Sequence, residues 1–388
     1  MWSLGTRMLG LGCPPRPHRV QHLGGTAAVP PSEEIEPTSR YFHASLHCVY
    51  TTWIFDTKIR ARAPSCTLHE MSEGIFFFIW TTSSSTFLAR HYRCIESICR
   101  HHPRGVIRGL SNTLPTSFFD ELKRADVACD VEIERYDLAQ LVQGSITQVW
   151  YDFRRFWNRS AFFPNHEADL LRLLTLRDRG GTYVDTDVVF VSPLELGPGC
   201  PNAVGIEAGQ GGIGATQAAQ QAKDDLPEKA RASFDASTAV LCNAVMHFQA
   251  GAPLLQRTID AFVRGYVPYA PGLSMLELHA LGQWGAMGPV LLSRMVHGAP
   301  PGEGTCVLER NVLFPLDPGE TAIYFGPWDP RRDAPVWERL HTRAVAVHLW
   351  NALTKATSIT CGSLVHRLLE ENCVVCKRLG CESIEKLA

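Results

Sequence analysis

Asp185 and Asp187 stand one residue apart in the run RDRGGTYVDTDVVFV, from Arg177 to Val191. Two carboxylates in so apolar a setting repel one another unless something positive lies between them. Oxygen ligands on alternate residues suit a hard divalent cation, manganese or magnesium, which can also grip a diphosphate. The bland alternative is a strand-edge pair held by an arginine or by backbone N–H groups. Upstream, Asp169-Leu170-Leu171-Arg172 places a carboxylate and a guanidinium at i and i+3 on one helical face. Alone, that pair reads as an intrahelical ion pair worth a few tenths of a kcal/mol. Beside a D-x-D, it could hold the hydroxyls of a sugar.

The elements that must position these residues have a parallel-sheet rhythm. GIFFFIWTT, Gly74 to Thr82, is a continuous apolar run of the kind buried on both faces. FLARHYRCIESICRHHP has helical spacing up to Pro103, and GVIRGL returns as a second strand. Before the D-x-D, a helix capped by Asn165 and left through Gly180-Gly181 feeds YVDTDVVFV, read as one strand. AVLCNAVMHFQ predicts a strand and LLQRTIDAFVRGY a helix. A further helix is entered at Gly288-Pro289, and AVAVHLWN, Ala344 to Asn351, is the last strand-like run. These predict an α/β fold with a mainly parallel mixed sheet over 74–388, carrying a polar insertion near 209–232. Residues 1–73 read as a leader, linker or disordered segment.

The net charge of −2 offers no basic field, which sets nucleic-acid partners aside. No run of about 18 apolar residues occurs, so no membrane anchor is visible, although membrane association stays open. Thirteen cysteines suggest an oxidising compartment. Four of them, Cys361, Cys373, Cys376 and Cys381, predict one or two disulfides near the C-terminus in preference to zinc ligation.

DTDVV also resembles the aspartyl-phosphate phosphatases of the haloacid-dehalogenase type, which need a later lysine and acidic pair. Lys223-Asp224-Asp225 supplies those residue types, but within a single polar stretch. A stronger resemblance covers residues 74 to 376 in order. ADLLRLLTLRDRGGTYVDTDVVFVSPL resembles the defining segment of the DXD-containing glycosyltransferase family 32, the α1,4-galactosyltransferase and α1,4-N-acetylglucosaminyltransferase relatives. IFFFIWTTS, CIESICRHHP, GPVLLSR, LFPLDP and AVAVHLWN extend that likeness.

The resemblance implies a GT-A type nucleotide-sugar-binding fold. It also implies retaining transfer of a hexose from UDP-galactose or UDP-N-acetylglucosamine to a glycan or glycolipid hydroxyl, with manganese or magnesium as cofactor. Carried over residue by residue, Asp187 binds the metal, Asp185 binds metal or ribose, and His348 completes the metal site. Asp169 and Arg172 hold the donor sugar. Asn243 lies towards the acceptor side, where it could steady developing charge or serve as a structural amide. Trp350 could stack on a ring or fill the core. Thr81 stands in Trp80-Thr81-Thr82, where relatives carry Glu-Thr-Ser, so base or ribose recognition departs from the family pattern there. The relatives imply a Golgi location, with the N-terminus incomplete, cleaved or differently targeted. A non-catalytic glycan- or nucleotide-binding protein of the same fold is the alternative from another class. On the sequence reading, Asp187→Asn abolishes turnover and leaves the thermal transition nearly unchanged.

Overall fold

A computed structural model describes residues 74–125, 129–158, 160–208, 239–266, 284–300 and 303–375. The leader over 1–73, the polar insertion near 209–232, Lys223-Asp224-Asp225 and the cysteines 376 and 381 lie outside the described residues. The strands are β1 (Ile75–Ile79), β2 (Val106–Leu110), β3 (Asp130–Glu134), β4 (Gly181–Val184), β5 (Val188–Phe190), β6 (Asn202–Ala208), β7 (Val240–Phe248), β8 (Thr305–Leu308) and β9 (Ala346–His348). Helices that bear on the site are α1 (Ala89–His101), α2 (Asp120–Arg124), α3 (Leu138–Val142), α4 (Thr147–Asp152), α5 (Arg154–Trp157), α6 (Phe163–Arg179), α7 (Pro253–Tyr266) and α8 (Pro289–His297).

Seven strands form one sheet in the order β3-β2-β1-β4-β7-β6-β8. All run the same way except β7, which is antiparallel to both neighbours. The mainly parallel mixed sheet expected from the sequence is therefore present. β1 shows why its run is apolar throughout. Successive side chains point to opposite faces, and both faces are covered. Phe77 and Ile79 join a core with Leu170, Leu171 and Leu174 of α6, whereas Phe76 and Phe78 join another with Ile95 and Ile98 of α1. Each such phenyl contributes about 1.5–3 kcal/mol by burial.

Two sequence expectations need correction. YVDTDVVFV is not one strand. β4 ends at Val184, the Asp185 N–H donates to the Ala244 carbonyl at 2.7 Å, and the Val188 N–H closes a tight turn on the Asp185 carbonyl at 3.2 Å. The chain then leaves the main sheet, and β5 pairs antiparallel with β9 in a separate two-stranded sheet. Nor does Asn165 cap α6. The helix begins earlier, with Phe162 at the cap position and Pro164 in its first turn, where the missing N–H of proline costs nothing. The glycine exit does hold: Gly180 and Gly181 have φ of 64° and 103°. A Cβ on Gly181 would also meet the Ile75 carbonyl at 2.7 Å, so β4 could not then lie so close to β1.

Disulfides join Cys99 to Cys129, tying α1 to the start of β3, and Cys200 to Cys306, tying the approach to β6 to β8. Cys361 and Cys373 are disulfide-bonded as well, in keeping with the expected C-terminal bridging. No helix among the described residues is long and apolar enough to cross a membrane.

Candidate active site

Because β4 stops where it does, Asp185 and Asp187 fall in the turn at its C-terminal end, where parallel sheets expose their ligand-binding edge. β9 brings a third ligand. Val188 pairs with His348 in the small sheet, and the His348 ring lies with Nε2 3.2 Å from Asp187 Oδ2. Ligand atoms of Asp185, Asp187 and His348 all lie within 4.8 Å of one another. The riskiest placement in the sequence reading, a histidine 161 residues from its partner, is met by the geometry.

Asp187 is held from two sides, since its Oδ2 also accepts the Asn351 N–H at 2.6 Å. Burial opposes ionisation of this carboxyl, yet the His348 charge and hydrogen bond, with the Asn351 N–H, outweigh it and hold the group at about 2. For His348, burial disfavours the charged ring, but Asp187, then Asp185 and Glu207, raise it above its ordinary value. Asp185 behaves differently. Burial raises it, with Arg172 opposing and Asp187 adding, while the Tyr183 hydroxyl donates to its Oδ1 at 2.5 Å. The Asp185 side chain keeps 26% of its surface open against 11% for Asp187, so Asp185 presents the more accessible edge.

Trp350 does not face outward. It is buried, its ring lies 4.0 Å from that of His348, and its indole N–H donates to the Leu316 carbonyl at 3.1 Å. Its φ of 54° is the one positive value among described non-glycine residues. Such a conformation costs on the order of 1–3 kcal/mol and persists where its surroundings enforce it. Here it turns the chain out of β9 so that the next residue, Asn351, aims its N–H at Asp187.

The second group is centred on Arg172. Its guanidinium donates to the Asn243 carbonyl at 2.8 Å and lies 3.2 Å from Asp169 and 3.4 Å from Asp185. It also covers the Tyr183 ring, 4.5 Å from the centroid. The Asn243 amide donates to Asp169 Oδ1 at 2.8 Å. Asp169 is raised to about 6, chiefly by burial, with Arg172 and Asn243 opposing and Asp185 adding. Asp169 and Arg172 thus form the expected ion pair, but Arg172 bridges onward to the D-x-D, joining both motifs in one buried network. Thr81 lies two residues past β1, the parallel neighbour of β4, and so at the same sheet end. Among the described residues, no hydrogen bond or ion pair joins it to either group.

Gly288 is a site residue that sequence reasoning treated only as a helix entry. A Cβ there would meet Asp169 Oδ2 at 2.6 Å and Asn243 Nδ2 at 2.7 Å, so its bare backbone forms a wall of the Asp169–Asn243 pair. Glu207 was also missed. It is 2% exposed on β6 and close enough to influence His348. The apolar spacing of β6 gave no signal that its one acid faces inward.

Two carboxylates and an imidazole converging on one point fit a divalent cation. Oxygen donors suit magnesium and manganese alike, and the imidazole favours manganese. The His348 Nδ1 has no hydrogen-bond partner among the described residues, so nothing there commits the ring to a purely structural role.

Two family models match this chain. "Glycosyltransferase sugar-binding region containing DXD motif" covers residues 89–208, and "Alpha 1,4-glycosyltransferase conserved region" covers 247–379. The uncharacterised protein At4g19900 of Arabidopsis thaliana is 23% identical over 314 residues, which cover 77% of this chain and 42% of that protein. The chain therefore spans less than half the length of this relative. Among solved structures, the glycosyltransferase GlyE of Streptococcus pneumoniae TIGR4 is 11% identical with a TM-score of 0.41, covering 81% of this chain and 62% of the other. Mouse xyloside xylosyltransferase 1 is 12% identical with a TM-score of 0.39, covering 71% of this chain and 96% of the other. The chain is a mainly parallel α/β domain with a D-x-D at the carboxyl end of a central strand, and the sugar-binding family model spans that D-x-D. With both family models matched in order along it, the chain belongs to the DXD-containing glycosyltransferases of the α1,4-glycosyltransferase type.

Proposed function

We propose that this glycosyltransferase moves a hexose from UDP-galactose or UDP-N-acetylglucosamine to a hydroxyl of a glycan or glycolipid acceptor. The reading includes retention of the anomeric configuration, dependence on manganese or magnesium, and action in the Golgi lumen or at its membrane. The observation that carries it is the convergence of Asp185, Asp187 and His348, joined through Arg172 to Asp169 and Asn243. A divalent cation held by the first three would neutralise the charge that develops on a leaving diphosphate.

The chain's own groups do the rest. Asp187 is fixed by His348 and by the Asn351 N–H, and Asp185 is oriented by Tyr183 and Arg172. Asp169 and Arg172 offer an acceptor and donors to sugar hydroxyls. Asn243 holds Asp169 in place through its amide. Trp350 supports the His348 ring. Such groups act by being set in advance where charge appears, and no general acid is needed for so good a leaving group.

The test is UDP-hexose hydrolysis and transfer with manganese, with magnesium and with excess chelator. Equal turnover in chelator would sink the metal reading. Phosphate release from monoesters without any UDP-sugar would return the D-x-D to the phosphatase class.

A further inference from the structure

We propose that Asn158 is an N-glycosylation site, and that the first sugar of its glycan seats in the cavity beside it. This goes beyond the glycosyltransferase reading and does not depend on it. Asn158-Arg159-Ser160 is the one Asn-x-Ser or Asn-x-Thr triplet in the chain. About one such triplet arises by chance in a sequence of this length, so the spacing alone decides nothing. Its surroundings decide more.

Asn158 closes α5, where its N–H donates to the Arg154 carbonyl at 2.8 Å and its side chain is exposed. Among the described residues, no hydrogen bond holds the side-chain amide. A glycan on Nδ2 therefore breaks nothing. The backbone beneath is firm, since the Ser160 N–H donates to the Trp157 carbonyl at 2.9 Å, and Trp157 is buried with its ring 5.1 Å from that of Tyr266.

Two further observations point to a glycan. Disulfides join Cys99 to Cys129 and Cys200 to Cys306, and Cys361 and Cys373 are bonded as well. Such bonds form in the endoplasmic reticulum lumen, where oligosaccharides are also attached to Asn-x-Ser. The second observation is the cavity itself, of about 490 Å³, lined by Asn158 with Asp152, Arg154, Arg155, Phe163 and Glu167. That volume falls within the range of small-molecule sites. Carboxylates and guanidinium groups around a phenyl ring suit the hydroxyls and N-acetyl group of one N-acetylglucosamine. Two walls are fixed, because Arg154 lies 3.7 Å over the Tyr151 ring and Phe163 stacks on Trp150 at 5.6 Å.

The linkage joins Asn158 Nδ2 to the anomeric carbon of N-acetylglucosamine at the reducing end of a lipid-diphosphate oligosaccharide. The bond from that carbon to the diphosphate oxygen breaks, its electron pair leaves with the diphosphate, and the amide gives up one proton.

The test expresses the full chain behind a cleavable secretory leader in mammalian cells whose glycans are held at the high-mannose stage. Intact mass and peptide maps are read. The unaltered chain and Ser160→Thr should each carry one glycan, mapped to Asn158 and removed by peptide-N-glycosidase, whereas Asn158→Gln and Ser160→Ala should carry none. Chain retained inside the cells is read in the same way, so poor secretion does not hide the result. An unaltered chain without a glycan on Asn158 overturns the site. Seating is read by thermal unfolding. Trimming by endoglycosidase to the innermost sugar should leave the transition where the whole glycan puts it, about 1–2 °C above the same chain made sugar-free in tunicamycin-treated cells. Equal transitions for the trimmed and sugar-free chains overturn the seating. UDP-hexose hydrolysis enters neither readout, so failure of the glycosyltransferase reading and failure of this one are distinguishable.

Discussion

His348 and Asp187, 161 residues apart in sequence, meet at 3.2 Å because His348 pairs with Val188 across a two-stranded antiparallel sheet. The register of that sheet sets the candidate metal site, since a one-residue slip would turn the imidazole to the opposite face. His348→Ala should therefore raise the manganese concentration needed for half-maximal turnover. The increase should exceed the roughly tenfold that losing even an outer partner of a metal ligand produces. Manganese titration of UDP-hexose hydrolysis measures it, and an unchanged requirement would remove His348 from the site.

Asp187→Asn should abolish metal-dependent turnover, as the sequence reading expects. The expectation of an unchanged thermal transition does not survive the geometry. Asp187 is buried and accepts from both His348 and the Asn351 N–H, so the amide leaves a buried imidazole without its anion. The loss should be on the order of 2 kcal/mol, the scale of a hydrogen bond to a charged group. Thermal unfolding in chelator reads it, and a transition identical to that of the unaltered chain would contradict it.

Asp169, Arg172, Asp185 and Asp187 were legible in the sequence because each pair is local: i and i+3 on a helix, and alternate residues at a strand end. The long buried strands β1 and β7 and the helices α1, α6, α7 and α8 were legible from their apolar runs. β3, β6 and β8 were not. DVEIE alternates acids with two aliphatics, NAVGIEA carries a glycine and an acid, and TCVL has only four residues. The break between Val184 and Val188 was hidden because β-branched residues flank both aspartates, and only the Ala244 carbonyl and β9, both distant in sequence, decide where β4 ends. His348 and Trp350 came from family resemblance. Composition gave no hint that Trp350 would adopt a left-handed conformation.

His102 sets an acid-sensitivity expectation away from the metal site. Its Nε2 accepts the Leu194 N–H at 2.9 Å, which requires a neutral ring, and its Nδ1 faces the Ile98 carbonyl. Burial lowers it to about 4, with the Ile98 carbonyl opposing and His101 adding. The unfolded chain binds this proton near 6.5, so between the two values the unfolded state holds more protons. The stabilising contribution is complete above about 6.5 and is lost as pH falls through about 4. His91, lowered to about 4 chiefly by burial, acts in the same window. The thermal transition should fall across this range, and His102→Gln should flatten the fall. An equal slope in the variant would remove His102 as a cause.

Gly288 provides the sharpest test of the proposed donor pocket. Its φ of −105° is not left-handed. The requirement is space. An added methyl would stand 2.6 Å from Asp169 Oδ2 and 2.7 Å from the Asn243 amide, closer than carbon and oxygen or nitrogen can approach. Asp169 cannot simply swing away, because Arg172 and Asn243 both hold it. Gly288→Ala should therefore displace the carboxylate that is proposed to accept from sugar hydroxyls, while the cluster of Asp185, Asp187 and His348 keeps its ligands. UDP binding with manganese should change little, and UDP-hexose binding should weaken by about tenfold or more. Arg172→Ala should show the same preference for the sugar-bearing ligand, since UDP lacks the hydroxyls in question. Calorimetric titration with both ligands decides the matter: equal losses for UDP and UDP-hexose would return Asp169 and Arg172 to a plain buried ion pair.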